Sequence, residues 1–299
     1  MSKIVECVPN FSEGQRMEVI EAIIDQIKSV ESVRLLDCEH DKDHNRSVMT
    51  FIGEPKSVKK AAFSSCAKAA ELIDLNKHKG EHPRIGATDV IPFIPISNMT
   101  MEECVNLARE LGKEIAEKLE IPVYLYEHAA TKPERQNLAN IRRGQYEGLK
   151  EAILKDPEKK PDFGPSRLHP TAGATVVGAR MPLVAYNVNL NTDDIDIARS
   201  IAKTIRHSSG GLRYVKALGL EIKERGIVQV SMNLINYQKT PVFRVFETIK
   251  KEAERHGVDI LDSEVIGLIP MNALVDSAEF YLRLEDFNKS QILENRLCE

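Results

Sequence analysis

The sequence has no tryptophan, only five cysteines in 299 residues, and no excess of positive charge. The cysteines, Cys7, Cys38, Cys66, Cys104 and Cys298, are odd in number, far apart and never in a CxxC pair. That is poor material for a disulfide framework or a zinc site, and leads us to expect a reducing compartment, the cytoplasm. No apolar run approaches the ~18 residues that a membrane-spanning helix needs. The opening stretch MSKIVECVPNFSEG also lacks the apolar segment of a secretory signal. No membrane partner is therefore expected. With 41 Lys and Arg against 45 Asp and Glu, the formal net charge is −4. That balance argues against a general nucleic-acid binder, whose affinity rests on neutralising phosphates. It leaves room for a local basic pocket that takes a small anion.

What is present is an ordinary globular composition, 42% hydrophobic and 29% charged. At roughly 100–200 residues per domain, the length fits one large domain or two smaller ones. Either can bury a core without disulfides or a structural metal.

Two stretches follow the same order of elements. In the first, Lys3–Val8 is extended and rich in β-branched residues, and Pro9–Gly14 breaks the strand, with Ser12 as a possible helix N-cap. Val19, Ile20, Ile23, Ile24 and Ile27 share one helical face. Val33–Leu36 and Ser47–Ile52 flank a polar turn and read as a hairpin. Pro55 opens a second helix to about Leu72, and a strand follows near Val90–Ile96. In the second stretch, Leu183–Leu190 is a strand and Thr192–Asp194 a helix start, with a stripe at Ile195, Ala198, Ile201, Ala202 and Ile205. Tyr214–Ile222 and Ile227–Leu234 form another hairpin, Thr240–His256 a helix closed by Gly257, and Val258–Ile266 a strand. Both read β-α-β-β-α-β. The fold class expected is α+β: two tandem ferredoxin-like α/β sandwiches, over 1–180 and 181–299, with a ligand cleft between them. Thr100–Leu119 is a further helix, Pro122–Tyr126 a strand and Pro133–Leu154 mostly helical. The Pro- and Gly-rich 157–182 has no evident periodicity and reads as a bridge.

Three segments carry chemistry. His78-Lys-Gly-Glu-His-Pro-Arg84 joins a helix to a strand and sets two histidines among cations and a glycine. A histidine titrating near ~6.5 can take and return a proton at neutral pH. Lys77, Lys79 and Arg84 add positive potential for a carboxylate; a polar surface loop is the plain alternative. Gly80 between His78 and His82, with Pro83 following, argues against a helical metal pair, and there is no HExxH order. Asp37–Arg46 is also rich in potential ligands, Cys38, His40 and His44 among them, but strand alternation splits Asp37 and Glu39 from Cys38 and His40. Asp37 or Glu39 could still orient a histidine from elsewhere. Asp162–Arg180 is rich in Gly, Ser and Thr without being a P-loop or GxGxxG. Arg142-Arg143 is too short a basic run to imply nucleic acid.

Val5–Gly14, Lys77–Arg84, Pro122–Tyr126 and Gly173–Arg180 together resemble the glutamate formiminotransferase family, in the family's order and over essentially the whole chain. The resemblance implies two α/β subdomains with folate between them, a homodimer, and a role in histidine breakdown. It places the catalytic histidine on His82 and an assisting carboxylate on Glu39, where the family form carries aspartate. It places the folate-contacting loop on Gly164, Pro165, Ser166, Arg167, Leu168, His169, Pro170, Thr171, Ala172 and Gly173, departing from that form at Arg167, His169, Thr171 and Ala172.

The implied reaction moves a formimino group from N-formimino-L-glutamate to N5 of tetrahydrofolate, the co-substrate. The attacking nitrogen loses a proton and the leaving nitrogen gains one, which a single histidine can arrange. His82 is then base and acid, supported by Glu39 or Asp37, with Lys79 and Arg84 as candidates for substrate carboxylates and no metal required. The alternatives are formyl transfer from N-formylglutamate, a metal-dependent hydrolase built on His40, His44, His78 and His82, and a non-catalytic folate binder.

Overall fold

The computed structural model describes residues 2–80 and 82–297, and the chain divides into two compact units, 1–181 and 182–299. Glu81 of the histidine loop and Cys298 lie outside the described residues. Each unit has its own mixed assembly of sheet and helices.

The first unit runs β1 (Ile4–Cys7), β2 (Asn10–Phe11), α1 (Met17–Lys28), β3 (Val33–Asp41), β4 (Arg46–Gly53), α2 (Pro55–Leu72), β5 (Thr88–Ser97), α3 (Met101–Leu119), β6 (Val123–Glu127), α4 (Leu138–Ile141), α5 (Gln145–Lys155) and β7 (Thr175–Ala179). β1 and β2 occupy one position in the sheet, each pairing antiparallel with both β4 and β5, and β3 closes the edge on β4. On the other side of β5, β7 and then β6 continue the sheet in parallel.

Pro9–Gly14 therefore does not simply break the first strand, because pairing resumes at Asn10–Phe11. Ser12 is not the N-cap of α1. Its hydroxyl donates to the Gly86 carbonyl at 2.7 Å, and the helix starts at Met17 with Arg16 before it. Glu13 serves that end instead, accepting from the backbone N–H groups of Gln15 and Arg16 at 2.9 Å each, as an acceptor ahead of a helix start should. α3 has the full capping box, Thr100 with Glu103.

The segment 157–182 corrects a sequence reading. It contains β7, which is inserted between β5 and β6 rather than bridging two halves. Val177 and Ala179 face the core shared with α1, α2 and α3, while Val176 packs with Tyr124, Tyr126, Ile141 and Leu149 on the opposite face. A strand covered on both faces has no polar side, so it shows no alternation.

The second unit comprises β8 (Val184–Leu190), α6 (Ile195–Ile205), β9 (Val215–Ile222), β10 (Ile227–Leu234), α7 (Val242–Arg255), β11 (Ile260–Ile266), α8 (Met271–Leu282) and α9 (Leu293–Leu297). Its sheet is antiparallel throughout, in the order β11, β8, β10, β9. Val188, Leu190, Val228 and Val230 bury against the α6 and α7 stripes. Among the described residues no helix is long and apolar enough to cross a membrane.

Candidate functional site

The antiparallel pairing of β2 with β4 and β5 brings the end of β2 to the starts of β4 and β5, at one end of the first unit's sheet. A pocket forms there. Asn10 and Phe11 line it from β2 with Ser12 just after, His44 and Asn45 from the β3–β4 turn, Arg46 from the start of β4, His78, His82 and Arg84 from the run between α2 and β5, and Asp89 from the start of β5.

Asn45 holds these segments together. Its side-chain oxygen accepts from Gly14 N at 2.9 Å, its amide donates to the Lys79 carbonyl at 2.8 Å, and its own carbonyl lies 3.0 Å from His78 Nε2. It takes φ of +48°, a left-handed conformation in which asparagine is enriched. Gly80 packs directly on this turn. A Cβ there would lie 2.4 Å from the His44 carbonyl oxygen and 2.7 Å from Asn45 Cβ, closer than real contacts allow.

Arg84 is buried, and four of its N–H donors are committed to protein acceptors. Nη1 donates to Gln145 Oε1 and Glu147 Oε2, both at 3.0 Å, Nη2 to Glu147 Oε1 at 2.7 Å, and Nε to His78 Nδ1 at 3.1 Å. Because a guanidinium only donates, His78 Nδ1 must accept, and the ring proton sits on Nε2, aimed at the Asn45 carbonyl. His78 is thus a neutral ring of fixed tautomer. Burial, offset in part by the Asn45 bond, holds it below its ordinary pKa of 6.5.

His82 differs. It is half-buried in the pocket, and its ring makes no hydrogen bond among the described residues. Burial first, then the charges of Arg46 and Arg142, with smaller contributions from His44 and His78, pushes its pKa from 6.5 down to about 3. It is therefore a free, neutral base at pH 7 in a cationic setting. Among the described residues Arg46 has no ion pair, and its buried Nε has no partner. Burial and then repulsion from Arg142 bring its guanidinium down to about 10. Arg142 pairs through Nη2 with Asp89, whose other oxygen accepts from Ile85 N at 2.8 Å.

The sequence candidates separate on this frame. His82, His78 and Arg84 converge on the pocket. Glu39 is exposed on β3 opposite Val48, and Asp37 accepts from the Cys38 N–H at 2.9 Å. Neither is hydrogen-bonded to His82 among the described residues; Glu39 acts instead as one of the charges that favour protonated Arg46. Lys79 has its side chain exposed. His44 lines the pocket beside His78 and His82 but pairs with Asp41 at 2.9 Å, His40 is exposed opposite Ser47, and no group of three His, Cys, Asp or Glu among the described residues could hold a metal ion.

The loop 164–173 begins exposed at Gly164, Ser166 and Arg167, with Arg167 3.5 Å from Glu120. Leu168 packs into both cores of the unit. From His169 onward the loop is fastened. His169 Nδ1 accepts from Ala172 N at 3.0 Å, Asn76 donates to the Pro170 carbonyl at 2.8 Å, Leu75 N to the Thr171 carbonyl at 2.9 Å and Ala87 N to the Ala172 carbonyl at 2.9 Å. Gly173 has φ of +71°, and a Cβ on it would meet the Ile85 carbonyl at 2.3 Å. The loop thus flanks the run that carries His82. Pro165 is half-buried between these parts.

Sequence reasoning gave no role to Asn45, Asp89, Gln145 or Glu147. Apart from the Asp89 bond to Ile85 N, their partners lie far along the chain, Glu147 meeting Arg84 across 63 positions, and no local signal marks such a pairing.

Comparison with known proteins adds an independent observation. Residues 4–180 match the formiminotransferase domain, N-terminal subdomain, and residues 185–297 match the formiminotransferase domain. The chain is 55% identical to a glutamate formimidoyltransferase of Streptococcus pyogenes serotype M1 over 99% of both chains. It is 51% identical to one of Thermoplasma acidophilum over 98% of this chain and 97% of that one. It is 43% identical to the formimidoyltransferase-cyclodeaminase of Rattus norvegicus, over 99% of this chain and 57% of the longer protein.

Proposed function

Since this chain belongs to the formiminotransferase family, we propose that the pocket around His82 is where its group transfer takes place. The protein is a one-carbon transferase: it moves the formimino group of N-formimino-L-glutamate to tetrahydrofolate, in histidine breakdown. The observation that carries the siting is His82, a half-buried imidazole without a hydrogen-bond partner among the described residues, kept neutral among cations.

The chemistry follows from that state. N5 of tetrahydrofolate attacks the formimino carbon, a C–N bond forms, and the N5 proton passes to the neutral His82 ring. The resulting imidazolium, held among Arg46 and Arg142, gives its proton readily to the glutamate nitrogen as the old C–N bond breaks. Such a shuttle is typically worth ~10²–10⁴ in rate. His78 is not a second shuttle, because both its ring nitrogens are engaged. Arg84 positions the loop from within rather than meeting substrate, and Lys79, with its side chain exposed, is the freer of the two cations assigned to a substrate carboxylate. Glu39 supports the site through the charge on Arg46 rather than through a bond to His82. The exposed start of the 164–173 loop, Gly164 to Arg167, is the portion available to tetrahydrofolate, while His169 to Gly173 is fastened to the backbone beneath.

We read both units as ferredoxin-like, because the order β5, β1/β2, β4, β3 in one and β11, β8, β10, β9 in the other places the four strands identically. The protein acts without a metal, as a cytoplasmic homodimer.

The test is folate-dependent release of glutamate from N-formimino-L-glutamate, with N-formylglutamate in parallel and His82→Ala as comparison. Turnover of the formimino donor that falls ~10²–10⁴-fold in the folded variant supports the siting. Near-normal turnover in His82→Ala overturns it.

A further inference from the structure

We propose that Arg46, backed by Arg142, is the subsite that holds a carboxylate of the donor's glutamate half next to His82; the proposal rests on the transferase reading of this pocket. Arg46 lines the pocket with His82, yet among the described residues it has neither an ion pair nor a partner for its buried Nε. A largely buried guanidinium without an anion is costly, and proteins keep one where an anion arrives from outside.

The nearby acids do not complete it. Asp89 is spent on Arg142 and on Ile85 N, Asp41 is bonded to His44, and Glu39 is exposed on β3. Among the described residues the local balance is therefore positive: Arg46 and Arg142 repel one another, and Arg142 Nε is a second buried donor without a partner. Arg84, the other arginine of the pocket, is already matched by Glu147. A planar carboxylate fits the fork of a guanidinium with two parallel hydrogen bonds, and the substrate supplies two such groups.

The arrangement also couples binding to protonation. The groups that bear on His82 are the cations Arg46 from β4 and Arg142 from the turn after α4, and then the titratable rings of His44 from the β3–β4 turn and His78 from its own loop. All act in the same direction, against the imidazolium. A carboxylate bound to Arg46 cancels the largest of these charges and makes His82 a stronger base when the donor is in place.

The experiment uses glutarate, a dicarboxylate with neither amine nor formimino group, and its neutral counterpart glutaramide. Binding to the wild-type protein and to Arg46→Gln is measured by calorimetry. The His82 imidazole is titrated by NMR with and without glutarate, its resonance assigned by its loss in His82→Asn. Expected are glutarate binding without glutaramide binding, an upward shift of the His82 titration on saturation, and about tenfold or greater weakening in Arg46→Gln. The KM for N-formimino-L-glutamate rises by a similar factor while kcat changes less, and Arg46→Lys, which keeps the charge and loses the fork, falls between. Glutarate binding and KM at wild-type values in a folded Arg46→Gln or Arg46→Lys overturn the subsite, as does equal binding of glutaramide. Absence of turnover in the wild type, with glutarate still bound through Arg46, would count against the transferase reading and leave the subsite standing.

Discussion

Arg84 Nε donates to His78 Nδ1 at 3.1 Å, and this bond decides which nitrogen of His78 carries the proton. With Nδ1 occupied, Nε2–H faces the Asn45 carbonyl, and two histidines four positions apart acquire different work. His78 is a tie between loop and turn, and His82 is the ring left free to exchange protons.

His78→Phe therefore removes two hydrogen bonds and no proton carrier. We expect a stability loss of about 1–3 kcal/mol, read from denaturant midpoints at unchanged slope. The pH–rate profile should keep its wild-type shape. A shifted limb in that profile would show that His78 titrates in the reaction.

The depressed pKa of His82 makes stability depend on pH. An unfolded chain binds a proton at about 6.5, whereas the folded ring does so only near 3. Above the upper value neither state is charged and nothing is lost. As pH falls from there toward 3 the unfolded state takes up the proton and the folded state does not, so stability declines. His82→Asn should flatten this part of the stability curve, measured by chemical denaturation at intervals from pH 7 to pH 4. An unchanged slope would mean that other groups set it.

Glu147 is well exposed while the Arg84 it grips is buried. Glu147→Ala leaves that guanidinium with only Gln145 and His78. About 1–3 kcal/mol of stability should go, with a fall in kcat as the histidine loop loosens. Thermal melting together with turnover checks both halves.

Gly80→Ala tests the packing of the loop on the β3–β4 turn. The new methyl collides with the His44 carbonyl and Asn45 Cβ, so the run carrying His82 must shift. Since small misplacements of a catalytic group cost up to roughly 100-fold in rate, we expect kcat to fall roughly 10- to 100-fold while the far-ultraviolet spectrum is retained. Full activity would show that the loop can give way without consequence.

Much of the architecture was legible because it obeys simple periods. The stripes at Val19–Ile27 and Ile195–Ile205 and the two polar hairpin turns placed most helices and strands within a residue or two of their positions, although β3 runs on to Asp41, five residues past the Leu36 expected from the sequence. β7 was not legible, because burial on both faces erases alternation. Nor was α8, which buries only Ala273 and shows no clear stripe. At the site, the chemistry-bearing types were visible in Asp37–Arg46 and His78–Arg84, but their roles were not. Whether a histidine is a tie or a base depends on partners such as Arg84 and Asn45, and whether an arginine is free depends on acids more than sixty positions away. Only the folded chain brings those together.

The insertion of β7 between β5 and β6 also sets an order in time. Synthesis proceeds from the N-terminus, so a nascent chain released through Tyr126 already carries His44, Arg46 and His82. It still lacks Arg142, the two residues that grip Arg84, and the strand that fills the gap. Until Thr175–Ala179 arrives, β5 and β6 present open edges to any other extended chain, and Leu75 and Ala87 have no carbonyls to donate to. The nascent protein thus possesses its proton carrier well before it possesses a site, and it carries these two edges unpaired through the passage from Glu127 to Thr175.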